Sequence, residues 1–398
     1  MPLVNMKDML AHAHGHGYAV GAYDLVSLDF LEAIVKGAEH CRAPVILSLA
    51  ESHFEHFDFE LAMAATVAAA RRTHVPVAIQ MHHGMSLDSA VRAIRYGCNG
   101  VMVDTSAHGF EENVARTQAV VHMAHACGVP TEGELGYVAG VEGEDAEKHL
   151  DAVIYTSIEE ARDYVQHTDV DFLGVSIGTV HGRLRSTPKL DLKRLARINS
   201  SLGIPLVIHG GSGLSVEQYQ SLVARGVAKI NYYTALADIA AAHILKNSVC
   251  DPASGYTGLV RGVRLAIQTE VARTIHVFGS AGRAEAVLAQ ARPWREVEHL
   301  IVYNTNRGTP MDIQQIAAHG RELLATIPGV RRVYTGQALK PDAKYRYCWL
   351  VRFANAAVIE SYRDHPDHVA FADHEFRPVA NERVSVDYEL TDQSTNSN

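Results

Sequence analysis

Eight short β-rich runs, each followed by a stretch of helical periodicity, constrain this chain more than any other feature of it. The runs fall at 18–23, 43–49, 75–80, 100–103, 130–135, 171–176, 205–208 and 227–231, with intervening helices at, for example, 27–40, 59–73, 86–96 and 110–127. Eight is the number of strands that closes a (β/α)8 barrel, so the expected fold class is α/β, a TIM barrel within residues 1–280. The same alternation suits a doubly wound open sheet, and the polar residues must decide between them.

At 398 residues the chain exceeds what one hydrophobic core usually holds, which predicts a second, smaller domain. Residues 248–255 read as loop and 259–278 as a helix packing back on the barrel, while 281–296, rich in alanine and arginine, reads as a linker with some helix. From 297 to 390 the pattern becomes strand, helix, strand, strand, helix, strand, a separate α+β unit. The polar tail 391–398 reads as disordered.

A formal net charge of -9 without a basic block argues against nucleic acid or an anionic membrane as a partner and leaves small molecules. The five cysteines are scattered and never spaced as CxxC, which suggests reduced thiols. The start lacks a cationic segment followed by an apolar core, and the longest apolar run, 61–70, is too short for a bilayer. The expectation is a cytoplasmic protein.

Barrel enzymes build their sites where the strands stop. At those positions stand Asp24, Glu51 and His53, His82 and His83, Asp104, Glu132 and Glu134, His181, His209 and Asn231. Three histidines from three strand ends can converge on one tetrahedral zinc and leave an open position for a substrate oxygen, a Lewis-acid site. Gly178-Thr179-Val180-His181-Gly182 and His209-Gly210-Gly211-Ser212-Gly213 put such histidines beside backbone that can approach a bound group closely. The amides of Gly210 to Gly213 and of the Asn231 to Thr234 turn suit a phosphate.

In the order and spacing of these motifs the barrel resembles class II ketose-bisphosphate aldolases, nearest the tagatose-bisphosphate type. The carrying residues are His82-His83, Val101-Met102-Val103-Asp104, Glu132-Gly133-Glu134-Leu135-Gly136, the two glycine-rich segments above, and Lys229-Ile230-Asn231 with Thr234. The resemblance implies a zinc-dependent carbon–carbon lyase acting on a small phosphorylated carbonyl substrate, with a monovalent cation as a further cofactor. It implies that His82, His181 and His209 hold the zinc, with Asp104 and Glu134 behind them or at a second metal position. Glu142 would remove the proton from the ketose phosphate, and Gly182, Gly210, Gly211, Ser212, Asn231 and Thr234 would hold the phosphate.

The departures lie on the aldehyde side. Where the family places an aspartate that protonates the aldehyde oxygen, immediately before the first zinc histidine, this chain has Met81, and a thioether cannot donate that proton. The family's Ala-Phe-Asn is Ala22-Tyr23-Asp24, and a small polar residue at the second strand end is Ala50. Three explanations stand: Asp24, Glu51, His53 or His83 replaces the acid; the enzyme uses only enolisation, as an isomerase, epimerase or other lyase would; or the barrel is a sugar-phosphate sensor.

The 297–390 unit resembles a stress-responsive dimeric α/β-barrel (Dabb) domain, through Glu298-His299-Leu300-Ile301-Val302-Tyr303, Ile327-Pro328-Gly329-Val330, Tyr362-Arg363-Asp364-His365-Pro366-Asp367-His368 and Val386-Asp387-Tyr388-Glu389. The resemblance implies a ferredoxin-like fold that pairs sheet to sheet, so a homodimer or higher homo-oligomer is expected. His299, His365 and His368 are the candidates for a ligand pocket there, although His365-Pro366 also makes a helix stop.

Overall fold

A computed structural model describes residues 2–140, 153–183, 188–306 and 310–391. Eight parallel strands close a barrel: β1 (Val20–Asp24), β2 (Val45–Ala50), β3 (Val77–Gly84), β4 (Gly100–Val103), β5 (Thr131–Leu135), β6 (Phe172–Val175), β7 (Leu206–Ile208) and β8 (Val227–Tyr232), with β8 pairing back on β1. The open-sheet alternative is thereby excluded. Most of these strands are buried along their whole length. Parallel strands lie between an interior and a layer of helices, so neither face meets water.

A helix that the strand pattern did not announce, Met6–His16, precedes the barrel. Asn5 caps its start by accepting from the Lys7 and Asp8 amides, and Gly17, at φ 65°, ends it. Met6, Met9 and Leu10 pack with Val20, Phe172, Val207 and Ala228 from the strands and with Val287 and Ala291. Val287 belongs to helix Ala284–Gln290, so the stretch read as a linker is partly barrel core. Helix Thr234–Cys250 likewise runs into the segment read as loop.

Two compact units divide the chain: Met1–Ala90, Cys98–Val121 and Pro130–Pro293 form one, and Val91–Gly97, His122–Val129 and Trp294–Asn398 the other. The second contains an antiparallel sheet of β9 (Val297–Thr305), β10 (Val330–Gln337), β11 (Tyr347–Phe353) and β12 (Ala380–Glu389), in the order β10-β11-β9-β12. That order, with helices after β9 and β11, is ferredoxin-like. Trp349, Phe353 and Tyr303 pack beneath Phe371, Phe376 and Tyr362 on one face of the sheet. The tail beyond 391 lies outside the described residues.

Buried Asn99 holds the amino-terminal end of the barrel together. Its Oδ1 accepts from the Ile79 amide at 2.7 Å and its Nδ2 donates to the Val4 carbonyl at 2.6 Å. Asn99→Ala strands both backbone groups, and we expect a loss of about 2–4 kcal/mol in barrel stability, read as a lower urea midpoint. An unchanged midpoint would show that neither bond contributes.

Candidate metal centre

Strand alternation aims the polar residues inward in pairs. From β3 come Gln80 and His82, from β5 Glu132 and Glu134, and from β8 Lys229 and Asn231, all buried. His83 should face the other way, but it takes φ 47°, and the β3–β4 register shifts between Met81 and Gly84. A left-handed backbone at a residue with a branched ring is uncommon and strained. It places the His83 ring 4.1 Å from that of His82, so two consecutive histidines serve one site.

Four imidazoles gather there, each with one ring nitrogen facing an acceptor. His82 Nδ1 lies 3.1 Å from both Asp24 oxygens, His83 Nδ1 2.7 Å from Asp104, His181 Nδ1 3.1 Å from the Val138 carbonyl, and His209 Nε2 2.9 Å from Glu132. Each of those nitrogens therefore donates, which fixes the lone pair on the opposite one: Nε2 of His82, His83 and His181, and Nδ1 of His209. His82 Nε2 and His83 Nε2 sit 3.4 and 3.3 Å from His209 Nδ1. Burial pushes the pKa of His82 and of His209 down, so both stay neutral. Neutral lone pairs facing one another at this distance suit a shared cation.

The carboxylates divide by environment. Burial opposes ionisation of Glu132, yet Lys229 at 2.8 Å and His209 hold it well below the usual carboxylate range. Burial likewise opposes ionisation of Asp104, which the hydrogen bonds from His83 and Ser106 overcome. Burial and the nearby Asp104 push Glu134 up to about 8. Its Oε2 has no hydrogen-bond partner and lies 3.6 Å from His209 Nδ1. A buried carboxylate oxygen left without a donor, beside clustered imidazole lone pairs, is what a divalent cation would satisfy.

The residues named from sequence fall as follows. His82, His83 and His209 form one compact metal-competent group, and His83, Asp104 and Glu134 a second. The His181 ring stands slightly farther out, 5.0 Å from His83 and 5.9 Å from His209. Asn231 donates from Nδ2 towards His82 and His209 and accepts from Lys229, so its side chain joins the histidine cluster. Ser212 accepts from the Ala235 amide at 3.2 Å, in the first turn of helix Thr234–Cys250, whose start has no side-chain cap. A Cβ on Gly210 would press into the Val180 carbonyl, so that close approach requires glycine. Glu51 accepts from the Met85 amide and from Ser89, whereas the His53 ring lies against that of Tyr233, 4.6 Å between centroids and tilted by 46°. Glu142 lies outside the described residues.

Sequence reasoning did not assign Gln80, Glu132 or Lys229 a role, although Lys229, a cation inside an apolar strand, signalled one. The Lys229 ammonium bonds Glu132 and Asn231, and Gln80 donates to the same Glu132 oxygen, Oε2, while Oε1 faces His209. In the second unit His299 pairs with Asp387 at 2.6 Å, His365 caps helix Pro366–Phe371, and His368 bonds the Arg363 carbonyl.

A closed (β/α)8 barrel with imidazoles and carboxylates on its strand ends is the architecture of a metal-assisted carbonyl enzyme. Residues 4–283 match the model of class-II fructose-bisphosphate aldolase, and 297–390 that of the stress responsive A/B barrel domain. A probable fructose-bisphosphate aldolase of Bacillus subtilis is 37% identical over 289 residues, covering 71% of this chain and 100% of that protein. A fructose-bisphosphate aldolase of Staphylococcus aureus is 38% identical over 293 residues, covering 72% and 100%. The crystal structure of the YdjI aldolase of Escherichia coli K12 superposes with a TM-score of 0.64 at 30% identity, covering 71% of this chain and 99% of that one. The chain belongs to the class II fructose-bisphosphate aldolase family, as an aldolase barrel followed by a stress responsive A/B barrel domain.

The buried pair supplies a test. Lys229→Met leaves the Glu132 carboxylate uncompensated, and we expect a loss of about 3–5 kcal/mol in urea unfolding. The double variant Glu132→Gln/Lys229→Met should lose clearly less than the sum of the single losses. Simple additivity would mean that the pair is not coupled.

Proposed function

We propose that the barrel carries out zinc-dependent aldol chemistry on a ketose phosphate or dihydroxyacetone phosphate, with His82, His181 and His209 as the zinc ligands and Glu142 as the base. The observation that carries this reading is the common orientation of the imidazoles, each donating outward so that its lone pair is available to a metal. The bound ion would polarise the substrate carbonyl and stabilise the enediolate oxygen.

The chain's own groups do the rest. Asp24 and Glu132 hold His82 and His209 in the required tautomers, and Lys229 keeps Glu132 ionised. The amides around Gly182, Gly210, Gly211 and Ser212, with Asn231 and Thr234, receive the phosphate, where the start of helix Thr234–Cys250 favours an anion. Glu142 removes the carbon-bound proton. A carboxylate of ordinary basicity would suffice for this beside a site whose bound cation would offset the charge created. Fructose and tagatose bisphosphates are the reference substrates, and Met81 predicts slow cleavage of both.

Purified protein should contain zinc and should exchange the C–H proton of dihydroxyacetone phosphate in deuterated water. Glu142→Gln should slow that exchange at least about 100-fold, and Asp24→Ala should weaken zinc binding about 10–100-fold. Zinc without exchange would remove the enolising reading, and rapid cleavage of either bisphosphate would refute the role given to Met81.

We also propose a homodimer through the second unit. Opposite its helices the sheet presents Leu300, Val302, Val384, Val386 and Tyr388, and the last three remain 43%, 38% and 51% exposed. An open apolar sheet face invites a second copy. Val386→Asp should convert a dimer to a monomer in sedimentation velocity at micromolar concentration; a wild-type monomer would defeat this proposal.

A further inference from the structure

An aldolase barrel that carries Met81 in place of a proton donor must handle the aldehyde oxygen with another group. Met81 itself is fully buried, and a Cβ on Gly84 would meet its Cε and the Met102 carbonyl, so its thioether packs beside those residues. Of the four polar residues that could replace it, three are committed. Both Asp24 oxygens face His82 Nδ1. Both Glu51 oxygens are used, one by the Met85 amide at 2.7 Å and one by the Ser89 hydroxyl at 2.7 Å. His83 has Nδ1 on Asp104 and turns Nε2 to His209.

His53 is different. It stands in the short helical turn Glu51–His53 directly after β2, is 7% exposed, and its Nδ1 has no hydrogen-bond partner. The ring lies tilted against that of Tyr233, the residue before the helix whose start lines the phosphate turn. Asp24 from β1 and His83 from β3 both act on it electrostatically, as do Glu55 and His56 from its own loop. An imidazole nitrogen buried without a partner is costly unless something else supplies one.

We propose that His53 is a further catalytic residue, the proton carrier for the aldehyde half of the reaction; this rests on the aldol reading above. In cleavage, Nδ1 of the neutral ring takes the proton of the substrate hydroxyl, the adjacent carbon–carbon bond breaks, its electron pair passes into the ketone carbonyl of the dihydroxyacetone phosphate fragment to give the enediolate, and the aldehyde leaves. In condensation, the protonated ring returns that proton to the aldehyde oxygen as the bond forms. Burial pushes the His53 pKa below the ordinary histidine value, with Asp24 opposing. The ring is therefore neutral near pH 7 and ready to accept.

The test uses the full-length zinc-loaded protein, with fructose 1,6-bisphosphate cleaved under single-turnover conditions and dihydroxyacetone phosphate exchange measured in parallel. His53→Gln and His53→Asn should each lower the ratio of cleavage to exchange about 100-fold, the range of a lost general acid or base. Because exchange needs a folded, metal-loaded site, a misfolded variant would lose both rates and leave the ratio where it was. A ratio within threefold of wild type in a variant that still exchanges would overturn the role of His53. Absence of exchange from the wild type would overturn the aldol reading beneath it.

Discussion

A lysine ammonium inside the barrel sets the charge of everything around it. Lys229 is fully buried, and an unpaired cation there would be untenable, so Glu132 must be ionised. An ionised Glu132 in turn makes the neighbouring His209 nitrogen a donor, and His209 must then present Nδ1 to the interior of the site. Asn231 follows from the same pair: with Oδ1 taken by the ammonium, its amide group faces His82 and His209. The orientation of the metal-competent face thus depends on a fully buried charge pair.

This network draws on three strands that are far apart in sequence yet bring their side chains together inside the barrel. Gln80, Glu132 and Lys229 each lie two residues before a polar group at the mouth, namely His82, Glu134 and Asn231. The period of two that fills the barrel also stacks a supporting layer beneath a reactive one. Shifting any of these strands by one residue would turn both layers out towards the helices, so the register of the fold and the chemistry of the site are specified together.

The sequence carried the barrel clearly, because long apolar runs alternating with amphipathic helices have few other solutions. It put His82, His83, His181 and His209 at strand ends, but the ligand set it led to was His82, His181 and His209, whereas the compact metal-competent group is His82, His83 and His209. That His83 shares this group was not legible, since alternation sends neighbours to opposite faces and only its positive φ brings it back. The Met6–His16 helix escaped notice because three histidines and a glycine dilute its apolar stripe, even though it buries Met6, Met9 and Leu10. The 281–296 stretch looked like a tether from composition, yet small residues such as Ala284 and Ala291 are also what close packing requires. Lys229, a cation inside an apolar strand, signals that it has a buried partner, but nothing local identifies that partner as Glu132.

The pattern of retention and change across the site has a physical logic. Groups that hold the histidines, neutralise their supporting charges and shape the phosphate turn depend on one another, so altering one strands its neighbours in a low dielectric. Met81 has no such partners: its thioether methyl lies against Gly84, apart from the Asp24, Glu132 and Lys229 contacts. His53, on a short turn after β2, likewise stands outside the bonded network of Asp24, Glu132 and Lys229, so replacing it would leave those contacts in place.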